Sequence, residues 1–322
     1  MSPTGTRMRR IGFLGPAGTF TEAALRTRPE AAGAECVPYP SVDAAFAAVR
    51  AGRLDACLVA IENSVEGSVT ATLDSLARGD VLELVGETLL PITFVLAARP
   101  GTSWSEIGAV ACHSHAWAQV RGWMAEHLPE AGFVPALSNA AAAVDLARSG
   151  AAAGTHTGAF QAAVCPRIAA ERNGLAILAE DIGDNPDAVT RFVLVARPGH
   201  LPERTGADKT TVVLFQEHDR PGALLEMLEQ FSSRGINMTR LESRPTGESL
   251  GRYCFSIDFE GHVSDSRVGE ALVGLHRVCA DVRFLGSYPR ADGVGPTVKA
   301  HHEDEAYERS TAWLERLRGG LD

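Results

Sequence analysis

Lysine is nearly missing from this sequence. The 322 residues include only Lys209 and Lys299, so residues 1–208 contain none. That excludes a Walker-type phosphate lysine, a Schiff-base lysine or a pyridoxal attachment from the first two-thirds. The six cysteines (36, 57, 112, 165, 254 and 279) are dispersed without a CxxC pair, the pattern of reduced thiols and not of a disulfide framework or zinc site. Long apolar runs are lacking too. The longest, LLPITFVLAA at 89–98, is half of what a membrane-spanning helix needs. The basic start MSPTGTRMRRIGFLG has too short an apolar run for a signal peptide, and a cytoplasmic protein is expected. Positive charge is in deficit, with a formal net charge of -10. This argues against nucleic acid or anionic membrane as a partner, but leaves room for an anionic small molecule at a locally positive site.

What is present is the composition of a globular protein, 45% hydrophobic and 22% charged. The length suggests two or three domains. Up to about residue 198, strand-like and helix-like stretches alternate, which implies an α/β sheet with helices on both faces. RPGHLPERTGADK (197–209) breaks the rhythm with Pro, Gly and charge and reads as a linker. Beyond it the order is βαββαβ over about 80 residues, a ferredoxin-like split unit. The tail from Ala291 is polar: TAWLERLRGG is expected to form one or two amphipathic turns, with HHEDEAYE solvated beside it.

Three polar loops of the first region share one construction. GPAGTFTEAA (15–24) carries Thr19, ENSVEGSVTATL (62–73) carries Asn63 and Ser64, and SNAAAAVDL (138–146) opens on Ser138 and Asn139. Each leads into a helix, and taken singly each reads as an N-cap. Taken together they suggest an anion site, because helix N-termini present free N–H groups and the positive end of the dipole. Arg191, beside Thr190 in DNPDAVTRFVLVARPG (184–199), adds a fixed cation at the mouth of an apolar strand. The loops lack GxGxxG and GxxxxGK[ST], so no nucleotide is expected. His113 and His115 form HxH without a third ligand at suitable spacing, so no metal is expected either. Glu62 reads as an acid or base, or as a cap or salt-bridge partner. Cys165-Pro166 reads as a structural turn.

In the second region, Pro221-Gly222 at a strand-to-helix junction lets a backbone approach a ligand or another chain closely. Glu242-Ser243-Arg244-Pro245 ends an amphipathic strand, where Pro belongs at a sheet edge. A plain turn and edge protection are the alternatives.

Carried together and in this order, GPAGTFTEAA, IENSVEGSV, SNAAAA, VTRF, PGALL and ESRP resemble the prephenate dehydratases of the monofunctional bacterial type, from about Arg10 to Arg290. The resemblance implies a two-lobed catalytic region like a periplasmic binding protein, over 9–198. Its lobes would be about 9–90 with 188–198, and about 91–187. A linker at 199–209, a ferredoxin-like ACT regulatory domain at 210–290 and a tail at 291–322 would follow. It implies Thr190 as the catalytic residue. Thr19, Asn63, Ser64, Ser138, Asn139, Arg191 and Phe192 would line the substrate cleft. Pro221, Gly222, Ala223, Leu224, Glu242, Ser243, Arg244 and Pro245 would bind L-phenylalanine as allosteric effector.

The implied reaction converts prephenate to phenylpyruvate without a cofactor, in a homodimer or homotetramer paired through the ACT domain. Arogenate as substrate, a specialised-pathway role, or a non-catalytic bilobed sensor remain alternatives. The chain departs from the family's usual Pro before IENS at Ala60, and from its usual Asn two residues before the threonine at Ala188. Where SHPQA is usual it has Cys112-His113-Ser114-His115-Ala116.

Overall fold

The structure, a computed structural model, describes residues 8–149, 159–199, 201–216, 219–246 and 252–320. His200 of the expected linker and the last two residues of the expected tail lie outside these.

The first region opens with β1 (Arg10–Leu14), α1 (Phe20–Arg26), β2 (Glu35–Tyr39), α2 (Val42–Arg50) and β3 (Ala56–Asn63). β4 (Gly67–Ser68), α3 (Thr70–Leu76) and β5 (Glu83–Pro91) follow. One sheet has the order β2-β1-β3 and then β11 (Val189–Ala196) and β5. β1 runs parallel to both β2 and β3, so the connections between them are crossovers, and α1 and α2 supply them. Ile11, Phe13, Leu25, Phe46, Leu58 and Ile61 are at most 1% exposed. Such near-continuous apolar strands are what a sheet covered on both faces requires.

A second sheet holds β6 (Val95–Ala98), β7 (Ala109–Cys112), β8 (Gly132–Pro135), β9 (Ala162–Cys165) and β10 (Ala176–Ala179) in the order β10-β6-β9-β7-β8. Helices α4 (Ser114–His127), α5 (Asn139–Ser149) and α6 (Arg167–Arg172) accompany it. Its strands alternate between two cores. Phe94, Leu96 and Ala98 join Val110, Val120 and Met124 on one side. Val95 and Ala97 join the alanines of α5 and α6 on the other. Ala188 belongs to the first of these clusters and is 4% exposed, so the small side chain found there in place of a polar one sits in an apolar interior. These two sheets are the two lobes.

The second region contains β12 (Asp208–Phe215), α7 (Ala223–Ser232), β13 (Met238–Pro245), β14 (Tyr253–Glu260), α8 (Ser266–Val278) and β15 (Asp281–Pro289). The antiparallel order β13-β14-β12-β15 is that of the ferredoxin-like unit. Val212, Leu214, Ile257 and Phe259 pack under the two helices with Phe231 and Leu275. The tail carries α9 (Asp304–Arg318), a helix of 15 residues that takes in DEAYE as well as TAWLERLR. It is longer than the pattern of apolar residues suggests. Asp304 and Glu305 sit in its first turn and Arg316 and Arg318 in its last, complementing the dipole. Asp304 is held by Arg204 Nη1 at 2.6 Å and by the Ser266 N–H at 2.8 Å.

By compactness the chain divides into two units. One comprises residues up to Gly67 with Thr88–Phe192; the other joins Ser68–Glu87 to Val193 and everything after it. α3 and the first half of β5 therefore go with the ferredoxin-like sheet. Among the described residues, no helix is long and apolar enough to cross a membrane.

Candidate active site

The end of β3 and the start of β11 are zipped together by three successive cross-strand pairs. Ser64 donates its N–H to the Val189 carbonyl at 2.9 Å and accepts the Val189 N–H on Oγ at 3.0 Å. Asn63 Nδ2 donates to Thr190 Oγ1 at 2.9 Å. Arg191 Nη1 reaches Glu62 Oε2 at 3.4 Å. The end of one strand meeting the start of the other makes the pair antiparallel. Strand alternation then puts Asn63 and Thr190 on one face and Glu62 and Arg191 on the other.

The orientation of the Asn63 amide is fixed. Its Oδ1 accepts the N–H groups of Val65 and Glu66 at 2.7 and 3.1 Å, an Asx turn. Nδ2 must therefore face Thr190. Because Thr190 Oγ1 accepts that bond, its own proton is directed elsewhere, and the side chain is a hydroxyl donor held in place by an amide. Thr190 is 6% exposed. Phe192, on the same face one step deeper, is 1% exposed. It is a core side chain that supports the site from beneath and does not line an open surface.

Arg191 is also buried, with its side chain 7% exposed and that of Glu62 40% exposed. The fixed cation is therefore accompanied by a counter-charge, the salt-bridge role among those the sequence left open for Glu62.

The other polar loops cap their own helices, and one bond joins two of them. Thr19 caps α1: its Oγ1 donates to the Leu14 carbonyl at 3.1 Å and accepts the Glu22 N–H at 3.4 Å. Ser138 Oγ caps α5 by accepting the Ala141 N–H at 3.0 Å. Asn139 Oδ1 accepts the His113 N–H at 2.8 Å and so ties the start of α5 to the start of α4. The His113 ring caps α4 by accepting the His115 N–H on Nδ1, with the two rings edge-to-face at 4.8 Å. Burial lowers the pKa of His113, the neighbouring His115 lowers it further, and Glu66 of the Asn63 loop opposes both.

Two other features matter. Glu22, not singled out in the sequence, is a 1% exposed carboxylate beside Gly18. The spacing Thr19-Phe20-Thr21-Glu22 is a capping-box pattern and was the signal available. The Cys165 thiol is pushed up to about 12, chiefly by burial, which makes it inert as a nucleophile at neutral pH.

In the second region, an open pocket of about 590 Å³ lies between the start of α7 and the β13 edge, lined in part by Gly222, Leu224, Leu225, Ser243 and Tyr253. Gly222 has φ +84°, a conformation that favours glycine. Pro221 is exposed beside it, and Ala223 is buried as the first residue of α7. The ESRP residues are divided by the alternation of β13. Ser243 pairs with the core residue Phe255, whereas Glu242 and Arg244 pair with Ser256 and Cys254 on the opposite face. There Glu242 accepts from Ser68 Oγ at 2.5 Å, and Arg244 donates to both oxygens of Asp74 at 2.9 and 3.0 Å. Glu242 and Arg244 thus engage the α3 segment and not the pocket. Pro245, opposite Tyr253, is exposed at the strand end.

Comparison with known proteins gives a consistent result. The prephenate dehydratase family profile matches residues 11–200 and the ACT domain profile matches residues 210–277. A prephenate dehydratase of Mycolicibacterium vanbaalenii is 49% identical over 97% of this chain and 99% of its own. The crystal structure of prephenate dehydratase in complex with L-Phe from Arthrobacter aurescens superposes with a TM-score of 0.90. It is 54% identical and covers 96% of this chain and 99% of that one. A structure described as GqqA, a novel type of quorum quenching acylase, is 31% identical with a TM-score of 0.77, covering 87% of this chain and 98% of that one.

Proposed function

The chain belongs to the prephenate dehydratase family and carries an ACT domain, and from that premise we propose that Thr190 is the catalytic hydroxyl in the cleft. The reaction takes the prephenate dianion and one proton to phenylpyruvate, carbon dioxide and water. The bond from ring to carboxylate breaks and its electron pair enters the ring as the ring hydroxyl leaves with its bonding pair. Aromatisation drives the change, so the protein needs only to orient a dicarboxylate and stabilise the departing oxygen.

The observation that carries this reading is the bond from Asn63 to Thr190. It leaves the Thr190 proton free to donate to the departing oxygen, at a side chain already immobilised. A threonine is a poor acid, so its contribution is a preorganised hydrogen bond in a water-poor site. Arg191 contributes positive potential from the other face of the strand, moderated by Glu62. The starts of α4 and α5, joined by Asn139 and His113, present their dipoles to a carboxylate. An acylase that used Thr190 as its nucleophile would need that hydroxyl activated by a base. Its partner here is an amide that donates to it, which favours the dehydratase reading.

The same reading makes residues 9–198 the catalytic region and 210–290 the effector region. L-phenylalanine, with which the Arthrobacter relative was crystallised, is the effector, seated in this chain at the pocket of Gly222, Leu224 and Ser243. Pairing of two copies through the ACT domain, in a dimer or tetramer, is supported by the position of β13 at a sheet edge with Leu241 exposed. A cytoplasmic location is supported by six cysteines that are all free.

Phenylpyruvate formation from prephenate, with arogenate assayed in parallel, tests the assignment. Thr190→Ala is expected to lower kcat by about 10²–10³ with folding intact. Near-normal turnover in that variant would overturn the role of Thr190.

A further inference from the structure

The loop and helix after β1 touch the second lobe at three alternate positions. Gly18 has φ +92°, and a Cβ there would lie 3.1 Å from Cβ and 3.2 Å from Cα of Ala169 in α6, and 3.6 Å from Ala140 in α5. Its backbone is seated directly on both helices. Phe20 packs edge-to-face on Phe94 of the second core at 5.4 Å. Glu22 supplies the third contact, and it alone is charged.

The Glu22 carboxylate is buried and its two oxygens have different tasks. Oε2 accepts the Gly18 N–H at 2.7 Å and so shapes the loop that carries Thr19. Oε1 accepts from Arg26 Nε and Nη2 at 3.0 and 2.7 Å, within α1. It also accepts from Arg172 Nη2 at 2.7 Å, from the end of α6 in the other lobe. A buried carboxylate requires a counter-charge, and Arg26 already provides one from the next turn of the same helix. Arg172 is therefore surplus to charge balance. Its guanidinium, 39% exposed, is free to leave without stranding a charge. A contact that is direct and charged, and whose loss leaves Glu22 paired with Arg26, can hold two bodies together reversibly.

We propose that Glu22 and Arg172 form a latch between the two lobes, acting as positioning residues that keep the Thr19 loop and the start of α5 together across the substrate cleft. The proposal builds on the dehydratase reading. Opening the cleft must break this bond and lift Gly18 from Ala169. With the latch removed, the binding-competent arrangement is a smaller fraction of the population. Apparent substrate affinity falls by that fraction, while the bound, closed state reacts as before.

The test compares Arg172→Met, Arg172→Lys and Glu22→Gln with the wild type in the full-length protein. Arg172→Met is expected to raise KM for prephenate by about 3- to 10-fold with kcat within about twofold. Arg172→Lys recovers most of the loss, and combining Arg172→Met with Glu22→Gln is no worse than the more damaging single change. Hydrogen exchange of the ligand-free protein is expected to quicken at residues 15–20 and 167–172 in Arg172→Met, with the unfolding midpoint unchanged. An unchanged KM, a fall in kcat matching the change in KM, or fully additive losses would overturn the latch. If the wild type made no phenylpyruvate, the dehydratase reading alone would fail, because the exchange measurement reports the latch without substrate.

Discussion

Arg244 and Asp74 form a two-bond ion pair, 2.9 and 3.0 Å long, between the ESRP strand and α3. Two positions along β13, Glu242 accepts from Ser68 at the start of the same segment. Ser243 between them points into the opposite pocket with Gly222 and Leu224. One strand thus has the pocket proposed for the effector on one face and, on the other, the segment that the Asn63 loop leads into. A ligand in that pocket that moved β13 would act on both faces.

That arrangement gives a prediction for regulation. Asp74→Asn removes the charge that Arg244 grips while leaving the pocket untouched. Both partners are partly exposed, at 25% and 31%, so the change in stability should stay within about 1 kcal/mol. Uninhibited turnover should stay within about twofold, whereas the L-phenylalanine concentration for half-inhibition should rise about 5-fold or more, the scale of a typical coupling energy. Inhibition curves of variant and wild type decide it; superimposable curves would show that the pair transmits nothing.

One of the two lysines allows a sharper test of stability. Lys209, at the start of β12, bonds Glu87 of β5 at 3.1 and 3.4 Å, and Glu87 also accepts the Ala291 N–H. Side-chain exposures are 10% and 2%, so this ion pair is buried. Lys209→Met takes the ammonium away from a buried carboxylate and should destabilise by about 3–5 kcal/mol. Lys209→Met with Glu87→Leu should recover most of that, since an apolar pair of similar volume avoids the desolvation penalty. Urea unfolding of the single and double variants measures both, and a single variant within 1 kcal/mol of wild type would contradict the burial argument.

How far the sequence speaks for itself differs between these places. The α/β alternation and the βαββαβ order follow from periodicity, because core faces repeat every two or 3.6 residues wherever they occur. Thr190 and Asn63 could each be singled out, but not their bond, since pairing over 127 residues depends on the antiparallel register of β3 and β11. The division of ESRP was available in principle: a strand through Met-Thr-Arg-Leu-Glu-Ser-Arg-Pro sends Glu242 and Arg244 to one face and Ser243 to the other. Which face holds the pocket depends on where α7 packs. Arg172 had no local signal, because an arginine at the end of a short helix ordinarily complements the dipole and faces solvent.

Acid sensitivity follows from Glu22. Burial raises its pKa, but the Gly18 N–H bond and the Arg26 and Arg172 guanidiniums more than offset this and hold it below the ordinary value of 4.5. A carboxylate with a depressed pKa when folded stabilises the native state above its unfolded pKa. That contribution is lost as pH falls through the folded value, where both states are protonated. Stability of the wild type should therefore decline below pH 4.5 in part through this group. Glu22→Gln cannot titrate, keeps an acceptor for Gly18 and should show a shallower decline over that window while being less stable at neutral pH. Unfolding free energies measured from neutral pH down through the acid limb compare the two slopes, and parallel curves would show that Glu22 does not carry the acid response.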